Sequence, residues 1–239
     1  MKINCLWEHN GDDTLLYSTN YLGAYTRGET LEAAMAKMPK EIRSFALWSG
    51  LPYDGKPCVD VTEEKTSALN IRDADSDAIF LCETAPMTAQ EYELLKALAL
   101  KSAKDFLTLY NAVPDKNVSS LQPRKTFYGD IPLTAAEMYT HTKNVNAYYF
   151  GEIGVQCDND GDILECRKRG FDLLEAQPDF LVNSPVLGSY DETWSVKKVL
   201  RRFIWHDRIH AKAMYRMAVK TFGADSVPDV FYFKNLLRN

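Results

Sequence analysis

The chain has 239 residues, 46% of them hydrophobic, with 28 Lys and Arg against 33 Asp and Glu. That content supplies one large or two small packed domains, and the mildly acidic balance disfavours a general nucleic-acid binder. No apolar run reaches about eighteen residues, so no membrane span is expected. Five cysteines, Cys5, Cys58, Cys82, Cys157 and Cys166, are scattered without a CxxC pair. They argue for a reducing, cytoplasmic setting rather than a disulfide framework. Charge is unevenly shared: up to residue 84 there are 8 Lys and Arg against 14 Asp and Glu, and from residue 85 onward 20 against 19. Short alternating apolar runs give way to long helical periods at the same place, which puts a domain boundary between residues 84 and 85.

Residues 3–7 read as a strand rather than a secretory leader. Residues 14–18 read as a second strand, and Asn10-Gly11 between them is a hairpin signal. Residues 29–47 have helical period through Leu31, Ala34, Met38, Ile42 and Phe45, with Pro39 expected to kink or split the helix. Residues 78–82, Ala-Ile-Phe-Leu-Cys, read as a short apolar strand. The order is therefore β-β-α-β. Within it, residues 21–34 (Tyr-Leu-Gly-Ala-Tyr-Thr-Arg-Gly-Glu-Thr-Leu-Glu-Ala-Ala) resemble the "PGCxTxGdTxeEAl" segment of HicB-type antitoxin domains. Leu22 stands where that family usually has Pro, and no DNA-binding tail follows. The resemblance implies a small sheet-and-helix module over residues 1–84 and leaves its job open.

Residues 85–239 read as four helices. The first covers about 88–112, with Tyr92, Leu95, Ala99, Ala103, Phe106 and Tyr110 on one face and a Thr88/Glu91 capping box. A second box, Thr134 with Glu137, opens the next helix, which reaches about residue 152. The third lies between Asp162 and about Phe180. The fourth begins near residues 193–195 and runs to Phe222, with Gly223 as its stop. The expected fold class is α+β: a β-β-α-β domain followed by an all-α four-helix bundle with room for an internal site.

Three of the four histidines fall on helical stripes that otherwise carry apolar residues. One stripe reads Val199, Phe203, His206, His210, Met214, Met217; the other reads Met138, His141, Val145, Tyr148. A buried imidazole needs a hydrogen-bond partner or a metal. HxxxH places two of them one turn apart on one face, the spacing for a shared ion, although hydrogen-bonded core histidines give the same pattern. His141, His206 and His210 are the candidate metal ligands. Glu137 and Asp207 are possible orienters of those rings through their other N–H, with a solvated charge the simpler reading of Asp207. The run Arg167-Lys168-Arg169 reads as a solvated basic face and His9 as an exposed turn residue. Residues 158–162, Asp-Asn-Asp-Gly-Asp, lack the spacing of a calcium loop.

Residues 199–210, Val-Leu-Arg-Arg-Phe-Ile-Trp-His-Asp-Arg-Ile-His, resemble the last helix of DinB/YfiT-like bundle proteins. Those proteins carry one ligating His on the second helix and an HxxxH pair on the fourth, which maps onto His141, His206 and His210. The acidic residue after the first His of the pair is usual, and Asp207 matches it. Where family members often continue His-x-Gly-Gln, this chain has Ala211-Lys212-Ala213 after His210. The resemblance implies a metal-dependent enzyme, foremost a transferase joining a low-molecular-weight thiol such as bacillithiol or mycothiol to a small-molecule electrophile. The divalent metal is read as zinc first, with nickel or iron as alternatives. A metal-dependent hydrolase is the enzymatic rival. A binding or regulatory protein acting through the HicB-like module is the rival of another class. Neither nucleic acid nor membrane is an expected partner, and a homodimer is the assembly allowed for.

Overall fold

A computed structural model describes residues 1–127 and 129–237. The chain divides into two compact units, one made of residues 1–82 together with the segment from Phe231 onward, the other of residues 83–230.

The first unit is built on a four-stranded sheet. Strands β1 (Lys2–His9), β2 (Thr14–Ser18), β3 (Tyr25–Gly28) and β4 (Cys58–Thr66) lie in the order β3-β2-β1-β4. Both pairings of β2 are antiparallel, and β4 runs parallel to β1 with a bulge between Cys5 and Leu6. Two of these strands are absent from the sequence expectation, and the strand expected at 78–82 does not form. Leu81–Glu83 is instead a short 3-10 turn, while Ala78 and Phe80 are buried without joining a ladder. Phe80 packs its ring 5.5 Å from that of Tyr17. An apolar run marks burial, and burial needs no strand. Conversely β4, Cys-Val-Asp-Val-Thr-Glu-Glu-Lys-Thr, is an edge strand whose residues are mostly exposed or half-buried, so it carries charges in place of an apolar alternation.

Helix α1 (Leu31–Ser49) starts at Thr30, whose side chain accepts the Ala33 N–H, and ends at Gly50 with φ 74°. It runs through Pro39 as one helix, so of the expected kink or split the split does not occur. Met38, Ile42 and Phe45 are all fully buried around the proline, so tertiary packing offsets the missing backbone hydrogen bond. The segment from Phe231 belongs here too, against its expected place in the helical part. The Ser44 hydroxyl donates to the carbonyls of Phe231 and Tyr232, and Trp48 stacks on Phe231 at 5.5 Å.

The second unit carries α2 (Ala89–Ala112), α3 (Ala135–Gly151), α4 (Ile163–Glu175) and α5 (Val196–Phe222). Capping boxes start α2, α3 and α4 at Thr88, Thr134 and Asp162, and Ser195 caps α5. Helix α5 and helix α4 each pack against both α2 and α3. Helix α4 stops at Glu175, short of the expected Phe180, which lies in a separate 3-10 turn. Gly170 lets α4 approach α3 closely: a Cβ there would meet the Phe150 ring at 2.1 Å. Every residue of α5 from Val196 to Arg208 is buried, so the first half of this helix has no solvent face. Among the described residues no helix is long and apolar enough to cross a membrane.

Candidate metal centre

On α5 the stripe read from the sequence is buried except at His210, within a helix whose first half is buried on every side. Val199, Phe203, Met214 and Met217 are fully buried, His206 is buried, and His210 keeps part of its surface. On α3 the stripe is displaced by one residue. The buried positions are Ala135, Met138, Thr142, Asn146, Tyr149 and Phe150, while Val145 is half-buried and Tyr148 is exposed. One residue is about 100° of helix, so His141 sits on the flank of the buried face and keeps part of its surface exposed.

The three rings meet nonetheless. Ring centroids are 5.3 Å apart for His141 and His206, 4.5 Å for His141 and His210, and 4.4 Å for His206 and His210. One ring nitrogen from each lies within 4.8 Å of the others, and the group can hold a metal ion. That bound is looser than the roughly 3–3.5 Å between nitrogens that ligate one ion tetrahedrally.

The chemistry of the donors fits a cation. His206 Nδ1 is buried with no hydrogen-bond partner, a condition that costs about 1–3 kcal/mol when nothing relieves it. Burial drives all three imidazoles toward the neutral, ligating form. It pushes His210 down to about 3, with the charge of His141 adding to the effect. It pushes His206 well below the ordinary range, helped by His210, His141, Arg202 and Arg167. It lowers His141 as well. Tyr149 packs edge-on against His206 at 5.9 Å and tilted against Phe203 at 5.3 Å.

Neither candidate orienter serves the rings. The Glu137 carboxylate accepts the N–H groups of Leu133 and Thr134 as the reciprocal half of its capping box. Asp207 is no solvated charge: its side chain is fully buried, with Oδ2 accepting from Ser102 Oγ at 2.5 Å and from Arg167 Nη1 at 3.2 Å, and Oδ1 from Arg167 Nη2 at 3.3 Å. Arg167 is likewise buried rather than part of a solvated face. Its Nε donates to Asn146 Oδ1 at 3.1 Å, and its guanidinium lies 3.6 Å from the Phe203 ring centroid. The signal was available in the sequence, because Ile163, Arg167, Gly170, Phe171 and Leu174 form the buried stripe of α4. His9 stacks on Trp7 and bonds Glu64 at the end of β1. The loop at 158–162 is architectural: Lys143 donates to the carbonyls of Asn159 and Gly161, and Asp162 caps α4.

Compared with family models, curated proteins and solved structures, the chain matches none.

Proposed function

We propose that residues 83–230 form a four-helix bundle of the DinB/YfiT-like type and that the protein is a metal-dependent enzyme, foremost a thiol-dependent transferase. The observation that carries this reading is the convergence of His141, His206 and His210, three imidazoles that burial holds toward the neutral form, from two helices onto one point, with His206 Nδ1 buried and without a hydrogen-bond partner. Zinc suits such a donor set, with nickel and iron close behind. When bound, a divalent ion held by neutral ligands keeps its full charge and an open position, and so acidifies a thiol or a water beside it. His206 anchors the buried side of the site. His141 and His210, partly exposed, mark the side from which a small molecule enters. In the transfer, a bond forms between the thiol sulfur and an electrophilic carbon, the leaving group departs with its electron pair, and the thiol proton passes to solvent. The five free cysteines agree with a reducing cytoplasm. The N-terminal unit is read as the HicB-like module: the resembling segment forms β3 and the start of α1, where Gly28 admits the Ala34 amide to 2.8 Å of where a Cβ would lie.

Elemental analysis of freshly purified protein, followed by turnover with a small thiol and an electrophile, tests the reading. Turnover is expected to vanish on chelation and in His210→Ala while helical circular dichroism stays unchanged, because Phe203, Met214 and Met217 pack independently of an ion. Hydrolysis without any need for thiol would move the assignment to a metal-dependent hydrolase. Absence of turnover before and after chelation, with a co-purifying protein partner, would favour a regulatory module.

A further inference from the structure

Metal-binding histidines are usually aimed by a hydrogen bond to the ring nitrogen that does not ligate. Among the described residues no protein hydrogen bond aims the three rings, and His206 Nδ1 is buried without a partner. Their convergence must therefore be set by where the helices hold them. A directional polar network lies immediately behind them. Asp207 follows His206 in the chain and precedes His210 by three residues; Asn146 lies five residues beyond His141 on α3. Both helices that supply imidazoles thus also supply a member of the network, and Ser102 of α2 and Arg167 of α4 complete it.

We propose that the Arg167–Asp207 pair, with Ser102 and Asn146, is a positioning device that sets the rotation of α5 so that His206 and His210 face His141. The proposal rests on the metal reading above, through its choice of probe. Stability alone gives little reason to keep this pair. A fully buried ion pair sacrifices the hydration of both charges, and apolar residues of similar volume commonly do as well or better. Phe203 lies under the Arg167 guanidinium, with Phe150 and Phe171 packed on it, an apolar setting that would accept such a replacement. Apolar contacts, however, are tolerant of rotation, whereas two parallel N–H···O bonds from a planar guanidinium are not. Side chains reach about 5–6 Å from a helix axis, so a rotation of roughly 20° carries a ring nitrogen about 2 Å, the length of a zinc–nitrogen bond. Loss of the fork is enough to scatter the donors without unfolding the helices.

The test uses the full chain, Co2+ as probe, and two variants: Arg167→Met combined with Asp207→Leu, and Arg167→Lys alone. The charge-free double variant is expected to unfold at the same denaturant concentration as the parent or higher. Its Co2+ affinity, read from visible absorption, is expected to fall about tenfold or more, the scale on which groups behind a metal ligand act. Arg167→Lys keeps the charge but loses the fork and the bond to Asn146, and should weaken Co2+ binding several-fold. Either variant folded with parental Co2+ affinity overturns the proposal. If the double variant does not fold, Arg167→Lys decides alone. If the parent itself binds no Co2+, the metal reading fails, and positioning is read without metal by cross-linking His141→Cys to His210→Cys with a short bis-alkylator. The cross-link should then form readily in the parent background and several-fold less in the Arg167→Lys background, and equal yields overturn the proposal.

Discussion

Two buried polar clusters sit side by side on α5 and differ in one respect. In the Arg167–Asp207 cluster every member is hydrogen-bonded, and the bonds reach α2, α3 and α4. In the histidine cluster the rings touch one another but form no hydrogen bond among the described residues, and His206 Nδ1 is orphaned. The contrast separates a buried polar group that is satisfied from one that is not. A satisfied network holds elements in register; an orphaned nitrogen beside two further imidazoles leaves a group that could hold a metal ion.

The largest effect separating the clusters should come from Asp207→Ala. It strands the Arg167 guanidinium in the core and is expected to cost about 3–5 kcal/mol in denaturant unfolding followed by circular dichroism. His210→Ala should instead remove bound metal and leave apo unfolding within about 1 kcal/mol of the parent. A cost near that of Asp207→Ala would mean that the histidines are structural as well.

Acid should come next. An imidazole held neutral when folded takes up its proton more readily when unfolded, where its pKa is about 6.5. The apo protein therefore keeps this stability above about pH 6.5 and loses it as pH falls toward the folded values. His210, pushed down to about 3, contributes at most about 2 kcal/mol of that loss by pH 5. Urea unfolding from pH 7.5 to 5 measures the slope, and a variant lacking all three histidines should flatten it. An unchanged slope would place the acid sensitivity elsewhere.

Two smaller effects sharpen the contrast further. His206→Leu exchanges an orphaned nitrogen for apolar surface and should stabilise the apo protein by about 1 kcal/mol while abolishing metal binding. Glu137→Ala removes only the reciprocal half of a capping box. It should cost about 0.5–1 kcal/mol and leave metal affinity unchanged; weakened binding would return Glu137 to the metal site.

Much of the helical unit was legible in the residues. Thr134 with Glu137, Ser195 and Gly223 mark helix ends because capping is local chemistry, decided within about four residues. The HxxxH pair and the 3.6-residue period placed His206 and His210 on one face of α5 for the same reason. Local patterns could not say which side of α3 is covered. Its buried line includes Thr142 and Asn146, polar residues satisfied by Met138 O, Cys166 O and Arg167, so an apolar stripe drawn through Val145 and Tyr148 missed it by one residue. In the first unit, β4 was hidden because an edge strand needs only one partner and can remain polar, while the apolar 78–82 run was spent on packing. The sequence by itself determined where the capped helices of the second unit begin, and that His206 and His210 share a face. Only the tertiary structure decided that His141 joins them and that Arg167 and Asp207 meet in the core, because both depend on partners far away in the chain, and burial and pairing are properties of neighbours brought together by folding.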